Sequence, residues 1–136
     1  MKHAPVLLAL VLLFTACNGF SPTEPQTITS SSINGTWRAS LPINPGGEDW
    51  SSITFDITSD VATMTPKSGP VHPVRVTTGA GWASLEIQEL PVDPHAPCIQ
   101  VQIAVTSMID RGKSMLGQVS GRCPSTLMHD IRLDRV

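Results

Sequence analysis

From Gly35 onward, apolar side chains follow a period of two in one short run after another. Ile53, Phe55 and Ile57 alternate with Thr54, Asp56 and Thr58, Val74 and Val76 flank Arg75, and Leu85 and Ile87 flank Glu86. Ile99, Val101, Ile103 and Val105 form the longest such run, and Leu127, Ile131 and Leu133 share one parity near the end. A period of two gives each segment one dry face and one wet face, which is the pattern of a half-buried strand and not of a helix. Clusters of Gly, Pro, Asn, Asp and Ser separate the runs, at Asn44 to Gly47, Ser59-Asp60, Lys67 to Pro70, Gly79 to Gly81, Pro91 to Pro97, Asp110 to Lys113 and Cys123 to Ser125. With the weaker runs Thr36 to Leu41, Val61 to Thr65 and Ser114 to Arg122, the spacing predicts an all-β domain, a small antiparallel meander of about eight strands. Eight strands suffice to close a barrel and remove free edges, while a two-sheet β-sandwich uses the same alternation.

The first residues belong to a different regime. Met1-Lys2-His3 is a short basic start, and Val6 to Phe14 is an unbroken apolar run of secretory-signal length, too short to span a bilayer as a helix. The stretch Phe14-Thr15-Ala16-Cys17 that follows resembles the lipobox of bacterial lipoprotein precursors, in which small residues precede the one cysteine that is lipidated. That resemblance implies a signal peptide over 1–16 and a covalent lipid on Cys17, with no other cofactor. It also implies anchoring in the bacterial cell envelope, and Asn18 after the cysteine leans towards the outer membrane. Asn18 to Ser32 is rich in Ser, Thr, Pro, Gly, Glu and Gln, so residues 17–32 read as the lipidated cysteine and a disordered tether. The β-barrel domain is expected over 33–136.

Three cysteines in an exported chain leave one to explain. With Cys17 taken by lipid, Cys98 and Cys123 remain as a pair in an oxidising compartment, where a disulfide is the natural assignment. A metal site on the two thiolates lacks any C-x-x-C spacing.

Gly35-Thr36-Trp37 opens the domain, and its last strand carries Arg132 and Arg135. This arrangement resembles the calycin barrels, the group that includes lipocalins and avidins. The resemblance implies that Trp37 packs at the barrel base under an arginine of the last strand, either Arg132 or Arg135, joining first strand to last by a cation–π contact.

No constellation for catalysis assembles, and an enzyme is not expected. Gly117-Gln-Val-Ser-Gly121 is not a nucleophile elbow, and Glu86 and Glu89 fall on opposite faces of a strand. His72, His95 and His129 have no ligand spacing to one another, and Asp93 with His95 reads as a stiff turn. His129 shares the parity of Leu127, Ile131 and Leu133, so it is expected to point inward. Trp82 follows Gly79 to Gly81 on the parity opposite Leu85, which places it at a rim or facing outward. Without the leader there are eight Lys and Arg against eleven Asp and Glu, which argues against nucleic acid as a partner. Two functions stay open. One, which the calycin resemblance implies, is a non-catalytic binding module for a small apolar or amphipathic ligand, facing Val76, Val101, Ile103 and His129. The other is a structural or protein-interaction lipoprotein of the envelope with a filled barrel. Oligomeric state is not legible.

Overall fold

The computed structural model describes residues 26–90, 100–122 and 126–136, with the backbone alone for 126 and 127. The expected signal peptide, Cys17, Asp93, His95, Cys98 and Cys123 lie outside the described residues. Eight strands follow one another: β1 (Gly35–Ala39), β2 (Asp49–Thr58), β3 (Val61–Ser68), β4 (His72–Gly79), β5 (Trp82–Ile87), β6 (Val101–Ile109), β7 (Ser114–Arg122) and β8 (Thr126–Arg135). Each pairs antiparallel with the next, and β8 returns to β1, so the sheet is a closed barrel in simple meander order. This decides between barrel and sandwich, and the architecture is that of a lipocalin-like barrel.

The seam between first and last strand is short. Only Trp37 opposite Arg135 and Arg38 opposite Asp134 are paired across it. β1 stops at Ala39, and Pro42 shortly after has no N–H to donate to a continued ladder. At the same end the Leu41 N–H donates instead to the Trp50 carbonyl at 3.0 Å. The connection from 40 to 48 thereby folds over the barrel end opposite the one where the chain enters.

Inward-facing positions follow the alternation seen in the sequence. Trp37, Ile53, Phe55, Met64, Leu85, Val101, Ile103, Met115 and Leu133 are all buried to 1% exposure or less. Two strands break parity. β2 has a register shift between Asp49 and Ile53 against β3, so its buried residues pass from the even Trp50 to the odd Ile53. β6 carries a bulge between Val105 and Ser107 against β7, so the inward residues pass from odd positions, Val101 to Val105, to the even Met108.

The folded part reaches further back than the expected start at Ile33. The Gln26 N–H donates to the Met108 carbonyl at 2.9 Å, and Ile28 is buried at 1% exposure. Between Gln26 and Ser32, Ile28 is the one large apolar side chain, and burying it ties this segment to the barrel. A hydroxyl-rich turn fixes the path: the Ser32 Oγ donates to the Thr29 carbonyl and accepts from the Thr29 N–H.

Candidate functional site

The barrel's closing corner is built from the first and last strands. Trp37 is fully buried and its Nε1–H donates to the Ile33 carbonyl at 2.7 Å. The Arg135 guanidinium lies over the indole, 4.2 Å from the ring centroid. It also donates from Nε to Gly112 O, from Nη1 to Asn34 O and from Nη2 to Ser32 O, at 2.9–3.1 Å. One side chain thus joins β8, the β6–β7 turn and the incoming chain. Gly35 makes room for it, because a Cβ there would stand 2.7 Å from Arg135 Nη1, and its φ of +126° is one that other residues rarely adopt.

Of the two arginines expected as partners of Trp37, Arg135 takes the role and Arg132 does not. Arg132 points to the outer face, where it binds Asp134 Oδ1 at 2.7 Å and Asp110 Oδ2 at 3.0 Å. The hydrogen bond from Ser114, followed by that from Arg132, holds the Asp134 carboxyl below the usual carboxylate range.

A second polar cluster sits at the opposite end and is invisible in the sequence. Glu48 is buried at the start of β2, and its Oε2 accepts from Trp50 Nε1 at 2.8 Å and from His72 Nε2 at 2.7 Å. All three side chains are buried, and the rings of Trp50 and His72 are 6.1 Å apart. Glu48 therefore fastens the 40–48 connection to the first residue of β4. Twenty-four positions separate the two partners, and neither belongs to a local motif.

The residues expected to face a ligand are placed as follows. Val76, Val101 and Ile103 do point inward, with 7%, 0% and 0% exposure. His129 is a correction: it stands opposite Val119 on β7, but its side chain is exposed, on a part of β8 that β1 does not pair with. A void large enough for water leaves accessible surface on the side chains around it, and the residues around Val101 and Ile103 have almost none. Leu85, Val105, Phe55, Met64, Met115 and Val119 are all at 1% or less, so this interior is packed with the chain's own side chains.

Clefts open on the outside of the barrel. One of about 510 Å³ crosses β6, β7 and β8 on the outer face, lined by Ala104, Thr106, Leu116, Gly117, Gln118 and Asp130 among others. Trp82 is 43% exposed at the β4–β5 turn and lies across Gly79, in keeping with its expected rim position. Met128, on the outer face of β8, is 65% exposed. The flanks of the two later cysteines are brought together, since Arg122 N–H donates to Gln100 O at 3.1 Å and Val101 pairs with Gly121. Comparison of the chain with protein-family models, with curated proteins and with solved structures finds no match.

Proposed function

We propose that the protein is a lipid-anchored envelope lipoprotein whose barrel acts through its outside, as a structural or protein-interaction module, and not as a carrier of a small ligand. The observation that supports this most is the packed interior. Val101 and Ile103, which a bound ligand would have to touch, have no accessible surface, and their neighbours share that state. A pocket for even a small ligand occupies roughly 300 Å³ or more, and opening one here would mean displacing several core side chains.

The same logic bears on chemistry. Glu48 and His72 are an acid and a base in contact, but Glu48 is also engaged by Trp50 and the cluster is buried, so it serves as a fastening and not as a reaction centre. Anchoring rests on Cys17 at the end of the apolar run, and the Cys98–Cys123 disulfide is supported by the register that brings Gln100 and Arg122 together. Closing a loop of about 25 residues contributes roughly 3 to 4 kcal/mol in the chain-entropy view.

The test of the anchoring is fractionation of cells expressing the wild type and Cys17→Ser. The wild type is expected in the membrane fraction and the variant in the soluble envelope fraction. Equal membrane partitioning of the two would overturn the lipid anchor.

A further inference from the structure

At the end of the barrel where the chain enters, a cleft of about 430 Å³ opens between residues 26–34 and the β6–β7 turn. Three cations line it, Arg111, Lys113 and Arg135, together with the polar side chains of Gln26, Ser31 and Asn34. No carboxylate is among the lining residues, and none of the three cations forms an ion pair among the described residues. Among the described residues, the acids next to these cations in sequence are turned elsewhere: Asp110 and Asp134 are held by Arg132 on the outer face. This sorting of charge leaves a concentrated positive site on a chain whose net charge is negative.

The chemistry of the three groups is complementary. Arg135 is fixed in place by Trp37 and three carbonyls, and those bonds use three of its five N–H donors and none of its charge. It is therefore a preorganised cation with donors to spare. Arg111 and Lys113 are exposed on a tight turn in which Asp110, Arg111 and Gly112 all have positive φ, so their backbone positions are set. Three convergent cations with hydroxyls beside them suit a multiply charged oxyanion better than a single carboxylate.

We propose that this cleft binds a phosphate group, and that its source is the headgroup of an anionic phospholipid in the membrane to which the chain is anchored. The choice of the membrane as the source rests on the anchoring proposed above; the phosphate site itself does not. Gln26 is the ninth residue after Cys17, so even a fully extended chain holds this end of the barrel within about 30 Å of an acylated Cys17. The cations are thus on the face nearest the bilayer, and the Glu48–His72 end looks away from it.

The experiment uses the intact chain carrying Cys17→Ser, with and without the pair Arg111→Gln and Lys113→Gln. Both substituted residues are exposed, and unchanged melting of the pair confirms that the fold is kept. Inorganic phosphate is titrated while the indole N–H resonances of Trp37, Trp50 and Trp82 are followed by NMR. Sedimentation with vesicles of pure phosphatidylcholine, or of equimolar phosphatidylcholine and phosphatidylglycerol, reads membrane binding. The expected result is a saturable shift at Trp37 alone, and binding to the phosphatidylglycerol vesicles that weakens at least about tenfold in the pair variant. Both proteins carry the same leader, so pure phosphatidylcholine sets the leader's own binding, and the tenfold comparison is made on the excess bound to the phosphatidylglycerol vesicles. A phosphate shift without vesicle binding keeps the site and overturns the membrane as its source. No phosphate shift at Trp37, or equal binding by the pair variant, overturns the proposal. Failure of the anchor would show separately, in the fractionation of wild type against Cys17→Ser.

Discussion

Arg132 and Arg135 are three positions apart on one strand, and their surroundings assign them opposite weight. Arg135 stacks on a buried indole and satisfies three carbonyls from two other segments. Replacing it by Ala removes charge-assisted hydrogen bonds and the cation–π contact together, and is expected to cost about 2 to 4 kcal/mol of stability, read as a lower thermal midpoint. Arg132→Ala breaks only exposed ion pairs, so its midpoint should fall by much less. Equal losses for the two would contradict the closing role given to Arg135. The sequence resemblance that pairs Trp37 with an arginine of the last strand narrowed the choice to these two. It went no further, because choosing needs the register at the seam. The buried Glu48 cluster gave no such hint. Glu48→Ala leaves Trp50 Nε1 and His72 Nε2 buried without their acceptor, which should cost about 3 kcal/mol or more. Chemical denaturation of that variant checks it, and a loss under about 1 kcal/mol would show that the fastening is weak.

At the scale of strands, alternation was informative because every strand of a small closed barrel must separate a packed inside from a wet outside. Ile53, Phe55 and Ile57, or Leu85 and Ile87, can be read without reference to anything distant. The bulge in β6 could not be read that way. Thr106 and Ser107 look like an ordinary continuation, and only the pairing with β7 shows one residue too many there. Gly117 is the matching feature on the other strand: a Cβ on it would lie 2.1 Å from the Ala104 carbonyl oxygen. Two backbones pass too closely for a side chain to fit between them. Gly117→Ala should therefore destabilise by about 2 kcal/mol or more, against the few tenths expected of an exposed strand position. An unchanged midpoint would show that β7 shifts freely and that the bulge is soft. The lead-in segment is hard to read for a related reason, since Ile28 stands alone between Gln26 and Ser32 and only the barrel end beneath it explains its burial.

For the whole molecule, small size and closure act together. A barrel of eight short strands has an interior that side chains such as Trp37, Trp50, Phe55 and Met115 can fill, and they do. What remains available is the outside: the cleft over β6 to β8, the rim around Trp82 and the cationic end beside the incoming chain. The two ends of the barrel differ in character, one carrying Arg111, Lys113 and Arg135, the other sealed by the buried Glu48–His72 pair. The filled interior is the claim on which this reading of function turns. Titration of the intact protein with a fluorescent fatty-acid analogue, followed by energy transfer from Trp37 and Trp50, tests it directly. No saturable transfer is expected, because no space exists beside Val101 and Ile103. One-to-one saturable transfer that disappears in Ile103→Trp would contradict it and return the barrel to ligand carriage.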